Sequence, residues 1–351
     1  MGEPATLPAE LEGHVDLARL AQWLEAKGVG AGPITRAAPL SGGTQNIMLR
    51  ITQDGRRMVL RRTPPHPRPY SNTALRREAR VLGALAGTTV PHPTLIAAEP
   101  DESVLGGAFL LMEVVEGFNP GEGLPAPHRD DPALRRRMGE SYIDALAALA
   151  EVNVQAVGLD DFGKPEGFLA RQVPQWLGTL EGYSKVDGWP GPDALPGVAR
   201  LADWLERHRP ADAPSGLIHG DCHLANTLYP HESGEIAALI DWEMSTVGDP
   251  RLDLGWVMAT WPDGGEDTVG LDIQPWDGFP SATELMARYA ERTTRPLDAA
   301  PWFGAMACFK LGILLEGTFV RACAGKAPRD VGERLHAAAV ALFRRGLRLI
   351  A

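Results

Sequence analysis

A short polar segment between two apolar runs constrains this chain more than any other part of its sequence. Residues 217–226 read LIHGDCHLAN, and residues 237–243 read AALIDWE. The pattern predicts a β-hairpin in which Asp221 and Asn226 flank a loop and Asp241 ends an apolar strand. An acid, an amide and a second acid that converge at one place suit a metal–nucleotide site beside a general base. The segment therefore predicts a small-molecule kinase.

The three polar side chains of this predicted hairpin suggest three roles. Asp221 and Asn226 are five residues apart, so the aspartate can face an incoming hydroxyl while the asparagine turns back to a metal. Asp241 would be delivered by the end of its strand. Mg²⁺ prefers one or two such oxygen ligands together with phosphates and water. We expect Asp221 to act as general base and Asn226 and Asp241 to hold Mg²⁺.

A metal-dependent hydrolase is the alternative interpretation of the same segment. His219, Asp221 and His223 alternate along the chain as the ligands of a two-metal hydrolase do. Such a site needs further histidines, and of the others His231 is the close one. The lack of further nearby histidines therefore favours a structural role, in which His219 and His223 pack around the loop.

The distribution of apolar residues predicts two parts of different character. Three strands, a helix and two more strands come before a Gly/Pro-rich stretch, and the pattern beyond it is mainly helical. A chain of 351 residues is long enough for two lobes around a cleft. We predict an α+β fold, with a nucleotide-binding lobe at residues 1–116 and a larger catalytic and substrate-binding helical lobe at residues 117–351.

A glycine-rich turn between the first two predicted strands is a candidate phosphate-binding loop. A backbone without Cβ atoms can close over phosphates, although a plain tight hairpin would have the same composition. No Gly-Lys-Ser/Thr follows, so the turn is not a Walker motif. The candidate residues are Ser41, Gly42, Gly43, Thr44 and Asn46.

Arg61 is a cation within an apolar predicted strand and therefore needs a partner. The next helix offers Glu78, and a strand cation paired with a helix glutamate can steady nucleotide phosphates. Successive strand residues face opposite sides, so Arg61 and Arg62 cannot both point inward. We favour Arg61 because it shares its side with Val59. The alternative is an exposed Arg61 and a solvated Glu78.

The predicted strand that runs into the Gly/Pro-rich stretch could contact an adenine through its backbone. An adenine needs one N–H and one C=O, and these would come from the peptides of Met112, Glu113, Val114 and Val115. An ordinary core strand is the alternative.

Composition limits the other classes of function. The net charge is −11, from 34 basic and 45 acidic residues, which argues against a nucleic-acid binder. Three cysteines give no disulfide framework and fit a reducing compartment. The N-terminus lacks the apolar region of a signal peptide, and residues 302–315 favour a buried helix over a membrane span. We expect a cytoplasmic protein without a membrane partner, and the oligomeric state stays open.

The motifs together resemble the aminoglycoside phosphotransferase and choline kinase-like family. The likeness rests on residues 219–226, on Ile240 to Glu243 and on the run GDPRLDL at residues 248–254. The resemblance implies the bilobal protein-kinase-like fold and an ATP- and Mg²⁺-dependent transfer to a hydroxyl. It also implies that Asp221 is the base, that Asn226 and Asp241 hold Mg²⁺, and that residues 41–46 and 112–115 bind nucleotide.

One position departs from the family pattern. Members usually have lysine where this chain has Arg61, and arginine can also bind phosphate through two hydrogen bonds. The variation is similar to that of a branch fused to acyl-CoA dehydrogenases, which resembles this chain around residues 59–65, 77–78 and 104–117. That resemblance implies a hydroxyacyl-CoA acceptor. An aminoglycoside or amino-alcohol kinase and a nucleotide-binding pseudokinase remain the alternatives.

Overall fold

The computed structural model describes residues 5–8, 11, 13–40, 46–262 and 273–351. Two compact units make up the chain. The first contains residues 1–117 with 237–245, and the second contains residues 118–236 with 246–351. The predicted α+β class is observed, with an antiparallel sheet in the first unit and mostly helices in the second. The domain boundary after residue 116 stays a prediction.

The first unit is built on a five-stranded antiparallel sheet in the order β1-β2-β3-β5-β4. The elements follow the predicted order of three strands, one helix and two strands. Their bounds are α1 (Leu17–Ala26), β1 (Ile34–Pro39), β2 (Ile47–Gln53), β3 (Arg56–Arg62), α2 (Ser71–Leu85), β4 (Leu95–Glu99), β5 (Phe109–Glu113) and, from the later segment, β8 (Ala238–Leu239).

One side of this sheet packs on α1 to form the core of the first unit. Leu49, Ile51 and Leu60 are fully buried there, together with Leu20 and Leu24 of the helix. The alternation of β2, in which every second residue is buried, is the pattern of a strand with one covered face. This core holds β3 in place, and β3 carries Arg61.

The second unit consists mainly of helices that pack around α9. Its elements are α3 (Ala126–Asp130), α4 (Pro132–Ala150), α5 (Phe168–Tyr183), α6 (Val198–Arg207), β6 (Gly216–Ile218), β7 (Thr227–Leu228), β9 (Thr246–Gly248), α7 (Arg251–Thr260), α8 (Ala282–Ala290), α9 (Ala300–Cys323) and α10 (Arg329–Leu349). Among the described residues, α9 is the one helix long and apolar enough to cross a membrane, and 61% of its most apolar window is buried inside the protein.

The strand that leads to Asp221 has a different partner from the one expected. The sequence predicted a hairpin between residues 217–226 and 237–243, but β6 pairs antiparallel with β9, so that Leu217 lies opposite Val247. Both of those side chains are 0–1% exposed. The end of β9 lies opposite the start of β6, and Asp253 in the first turn of α7 contacts the backbone of the two residues that follow β6.

Helices α7 and α9 approach each other at Gly255. A Cβ atom at this position would overlap the carbonyl oxygen and carbonyl carbon of Phe303 in α9, which are backbone atoms. Backbone cannot move aside as a flexible side chain can, so only glycine allows this distance between the helices.

Replacing Gly255 by alanine should therefore destabilise the protein. We expect Gly255→Ala to reduce the free energy of unfolding by about 1–3 kcal/mol, the usual effect of overpacking a core. Gly178→Ala in α5 is the matched control, because that glycine is exposed and has no atom within 4 Å of the added Cβ. The control should raise stability by about 0.5–1 kcal/mol. Thermal unfolding followed by circular dichroism measures both, and equal midpoints would contradict the close helix contact.

Candidate active site

The loop that carries Asp221 begins where β6 ends, and its backbone is held by a carboxylate from α7. Asp253 accepts hydrogen bonds from the backbone N–H of His219 at 2.7 Å and of Gly220 at 2.9 Å. Gly220 has φ +86°, in the left-handed region that favours glycine. The chain therefore turns sharply away from the strand immediately before Asp221.

Asp221 and Asn226 lie together across this loop, as the sequence predicted. The side-chain amide of Asn226 donates to Asp221 Oδ2 at 3.0 Å and to the Asp221 carbonyl at 2.8 Å. A short 3₁₀ helix at Leu224–Asn226 sets the asparagine back toward the aspartate. The amide nitrogen of Asn226 is thus committed to Asp221.

The surroundings of Asp221 favour its ionised form. Burial acts to raise the pKa of this carboxyl, but a hydrogen bond from His223, the nearby His219 and the Asn226 amide together hold the pKa below its ordinary value. The distance from His223 Nε2 to Asp221 Oδ1 is 3.5 Å. Asp221 is therefore a carboxylate at neutral pH and can accept a proton or orient a hydroxyl.

The remaining side chains of the loop act as scaffold. His219 is completely buried, and its Nδ1 accepts from the Asp221 amide at 3.3 Å. Burial raises the pKa of the Cys222 thiol well above its ordinary value, and its Sγ donates to the Asp253 carbonyl at 3.3 Å. A protonated, buried thiol is a packing group and not a nucleophile.

Lys310 is a second charged group at this loop, and the sequence analysis did not identify it. Its Nζ donates to the carbonyl of Gly220 at 3.1 Å. The same atom lies 4.8 Å from the ring centre of Trp256 and 5.8 Å from that of Trp176. Burial lowers the pKa of this amine, although the charges of Asp253 and Asp221 oppose the shift. The one sequence signal was a lysine within the most apolar helix of the chain.

A cavity of about 490 Å³ opens beside Asp221 within the second unit. This volume is in the range of small-molecule pockets. Aromatic rings form much of its wall: Tyr142 stacks on Trp261 with ring centres 5.9 Å apart, and Trp276 meets Trp261 edge-on at 5.0 Å. The other described lining residues are mainly aliphatic and include Ile273, Leu311, Leu315, Leu335 and Ala338.

Few polar groups of this cavity are free to meet a ligand. The Tyr142 hydroxyl donates to the Cys222 carbonyl at 2.7 Å, and the Thr260 hydroxyl donates to the Trp256 carbonyl at 2.9 Å. Among the lining residues that the structure describes, Asp221 is the one carboxylate. The described lining thus presents one carboxylate, with the His223 imidazole beside it, among mainly apolar side chains.

Arg61 forms the corresponding cluster in the first unit, and the predicted pairing with Glu78 is observed. Its Nη1 lies 2.8 Å from Glu78 Oε1, and its Nη2 lies 2.7 Å from Asp241 Oδ1 and 3.5 Å from Glu243 Oε2. In its hydrogen-bonded orientation, the Asn46 amide oxygen accepts from Nε and Nη2 of Arg61 at 3.2 and 3.1 Å.

Both members of the Arg61–Glu78 pair are removed from water, with 7% and 2% of each residue exposed. Burial disfavours the charged form of Arg61, but Glu78 and Asp241 together raise its pKa. Burial raises the pKa of Glu78 to about 7 against the pull of Arg61. The guanidinium of Arg61 therefore stays charged. Because both side chains are buried, water cannot take the place of either partner, and the pair is stable only in this geometry.

Arg62 is also buried, although on the opposite side of β3. Its guanidinium donates to the carbonyls of Leu105, at 3.0 Å from Nε, and of Thr63, at 2.8 Å from Nη1. Alternation separates the two arginines as expected, but both sides of the strand are covered at this end. Both arginines are therefore buried, although they face opposite sides of the sheet.

Asp241 has an unusual backbone for a non-glycine residue. Its φ of +65° and ψ of +62° place it in the left-handed region, at the start of a 3₁₀ helix over Trp242–Met244. Such a conformation destabilises a non-glycine residue by roughly 1–3 kcal/mol and is concentrated at functional sites. Arg61 offsets part of this strain by holding the carboxylate.

Each of the two candidate metal ligands carries an oxygen that suits a hard divalent cation. Carboxylate oxygen from Asp241 and amide oxygen from Asn226 are ligands that suit Mg²⁺. The described residues contain no group of three or more His, Cys, Asp or Glu side chains arranged to hold a metal, so the hydrolase alternative gains no support from this part of the chain. Asn226 belongs to the second unit and Asp241 to the first.

The predicted adenine-contacting residues follow the sheet of the first unit. β5 ends at Glu113, whose N–H donates to the Thr94 carbonyl at 2.9 Å and whose side chain pairs with Arg56. Met112 is buried, and Val114 and Val115 are half-buried beyond the strand. The candidate phosphate-loop residues Ser41, Gly42, Gly43 and Thr44 lie outside the described residues.

Comparison with known proteins gives a consistent assignment. The family model of the phosphotransferase enzyme family matches residues 36–291. Mouse acyl-CoA dehydrogenase family member 10 is 29% identical over 81% of this chain and 26% of its own length. The probable acyl-CoA dehydrogenase IBR3 of Arabidopsis thaliana is 30% identical over 80% of this chain and 35% of its own length. The chain thus spans about a quarter to a third of these two relatives.

Solved structures confirm the predicted protein-kinase-like fold. A candidate aminoglycoside phosphotransferase from Ralstonia eutropha is 29% identical with a TM-score of 0.77, covering 95% of this chain and 99% of that one. A thermostable mutant of aminoglycoside phosphotransferase APH(4)-Ia, in complex with AMP-PNP and hygromycin B, has a TM-score of 0.57 at 17% identity, covering 93% and 98%.

Removing the Arg61 guanidinium should destabilise the first unit. We expect Arg61→Met to lower the free energy of unfolding by roughly 3–5 kcal/mol, because it leaves Glu78 buried without its partner. Adding Glu78→Gln should recover part of that loss by removing the unpaired charge. Urea unfolding followed by circular dichroism measures each variant.

The matched control is Arg329→Met. Arg329 pairs with Glu333 at 2.8 Å on the exposed side of α10, and exposed pairs contribute little. We expect a change below about 0.5 kcal/mol there. Similar losses in the two arginine variants would show that burial of the Arg61 pair has no special weight.

Proposed function

This chain belongs to the phosphotransferase enzyme family, and on that premise we propose that it transfers the γ-phosphate of ATP to a hydroxyl of a small molecule. The observation that carries the proposal is the hydrogen-bonded Asp221–Asn226 pair, whose aspartate lines a mainly apolar cavity. Asp221 orients the acceptor hydroxyl and takes its proton. The new bond joins the acceptor oxygen to the γ-phosphorus, the bond to the bridging oxygen breaks, and ADP leaves.

The chain positions charges and does little covalent work, as in other phosphoryl transfers. We assign Asn226 and Asp241 as oxygen ligands of Mg²⁺. The ion, when bound, would supply positive charge against the negative charge that develops on the phosphates. Arg61, steadied by Glu78, adds a fixed cation for the phosphates. Residues 41–46 and 112–115 are the proposed contacts to phosphates and adenine.

For the acceptor we propose a hydroxyl on an apolar body, such as a hydroxyacyl-CoA. The aromatic and aliphatic wall of the cavity supports an acyl chain, which gains by burial of its apolar surface. The likeness to segments of acyl-CoA dehydrogenase family proteins supports the same class. An aminoglycoside carries several ammonium groups, and the described lining offers them one carboxylate, that of Asp221.

Two alternatives rest on narrower observations. A pseudokinase would use Arg61 to hold Glu78 and Asp241 as a purely structural cluster. An amino-alcohol kinase would use Asp221 and the aromatic rings to bind a single cation. For each of these functions, we propose a cytoplasmic protein that binds neither nucleic acid nor membranes.

Asp221→Asn tests the proposed base. We expect turnover to fall by at least about 100-fold to 10,000-fold, because an amide cannot accept the hydroxyl proton. The dissociation constant of ATP, measured by calorimetry, should change little. Asp203→Asn, at an exposed aspartate of α6 paired loosely with Arg207, is the matched control and should keep full turnover. Undiminished activity in Asp221→Asn would refute the role.

An acceptor panel tests the proposed substrate class. We expect kcat/KM for a medium-chain hydroxyacyl-CoA to exceed that for kanamycin by at least about 100-fold, since uncompensated burial of ammonium groups is strongly unfavourable. Leu311→Asp adds a carboxylate to the wall and should narrow this ratio. Leu177→Asp, at an exposed leucine of α5, is the control. A preference of the wild-type protein for kanamycin would overturn the acyl assignment.

A further inference from the structure

We propose that Lys310 is a positioning residue, whose ammonium holds the peptide group between Gly220 and Asp221 and thereby sets the direction of the Asp221 carboxylate. The inference rests on the proposed function only in treating Asp221 as the base. Lys310 lies in α9, 90 residues further along the chain from the loop that it contacts.

The loop is held on both sides of Gly220 by groups from different helices. Asp253 of α7 accepts from the Gly220 N–H at 2.9 Å, and Lys310 of α9 donates to the Gly220 carbonyl at 3.1 Å. That carbonyl belongs to the peptide that carries the Asp221 N–H. Because Gly220 has no side chain and φ +86°, rotation about its own bonds is opposed by these two contacts and by the hydrogen bond from the Asp221 N–H to His219 Nδ1.

The ammonium itself has little freedom. Two indole rings flank it, at 4.8 Å for Trp256 and 5.8 Å for Trp176, distances at which a cation is attracted to the face of the ring. Trp256 and Trp176 are 3% and 8% exposed, so their own positions are fixed by packing. A lysine side chain is flexible in water, but here its end is confined to one place.

The positive charge of Lys310 is compensated by one carboxylate of the loop and one of α7. The carboxylates of Asp253 and Asp221 both favour the charged amine against the effect of burial. The contact therefore combines a hydrogen bond with charge attraction, which makes it stronger than a bond between neutral groups. An apolar residue would fill the same space but leave the Gly220 carbonyl without this donor.

Lys310→Met tests the inference, because methionine keeps the length and removes the donor and the charge. We expect kcat to fall on the order of 100-fold, as small misplacements of a catalytic group can cause, while KM for ATP stays within about twofold. Lys310→Arg keeps the donor and charge and should restore at least about a tenth of wild-type kcat. Lys326→Met, at an exposed lysine beyond α9, is the matched control and should match the wild type.

The backbone ¹⁵N resonance of Asp221 gives a readout that does not depend on turnover. A hydrogen bond to the Gly220 carbonyl polarises the peptide, so we expect this resonance to move in Lys310→Met and to stay near its wild-type position in Lys310→Arg. Asp221→Asn identifies the signal. If the methionine variant does not fold, Lys310→Gln provides the same comparison.

The outcomes separate this inference from the proposed function. A shifted Asp221 resonance with a kcat loss at unchanged KM for ATP supports the role of Lys310. An unmoved resonance, or kcat in Lys310→Met within about threefold of the wild type, overturns it. If the wild-type protein phosphorylates no acceptor, the proposed function fails, and the resonance alone then decides whether Lys310 holds the loop.

Discussion

The loop that carries Asp221 depends on the two hydrogen bonds that the Asp253 carboxylate accepts. A chain that leaves β6 and turns at Gly220 has backbone N–H groups that no strand can satisfy, and an unpaired buried N–H is strongly unfavourable. Asp253 pairs with two of them. Asp253 is itself placed by α7, and α7 lies where it does because Gly255 lets it approach the backbone of α9 at Phe303. The packing of α7 against α9 therefore fixes the position of the backbone that carries Asp221.

Residues 237–245 belong to the first unit, although more than a hundred residues separate them from its main part. Side-chain contacts explain this arrangement. Arg61 from β3 binds Asp241 as well as Glu78. Arg77 from α2 donates to the Ser245 carbonyl at 3.0 Å. These contacts attach the middle and the end of the later segment to the sheet and its helix. The strained conformation of Asp241 persists because the surrounding contacts fix it.

Local sequence patterns predicted the secondary-structure elements and the side-chain pairs between neighbouring segments well. They predicted contacts between distant segments poorly. The position of Arg61 in an apolar strand and of Glu78 in the next helix was sufficient to predict their pairing, because a strand and the following helix pack together. Asp221 and Asn226 were predictable because one short loop contains both. The partner of β6 was not, since two-sided burial leaves an apolar strand without a preference for either candidate. Lys310 and the aromatic wall were not predicted either, because their role comes from tertiary packing that no spacing encodes.

The wall of the cavity can itself select how an acceptor enters. A hydroxyl moved from water into an apolar site loses its hydrogen bonds, which is unfavourable unless the site replaces them. The Tyr142 and Thr260 hydroxyls are already bonded to backbone carbonyls, so among the described lining the ionised Asp221 is the strongest acceptor left for a hydroxyl. A substrate with one hydroxyl on an apolar body would then reach its lowest free energy with that hydroxyl at Asp221. On this view, apolar residues far from the reacting atoms contribute to orientation as much as the polar ones do.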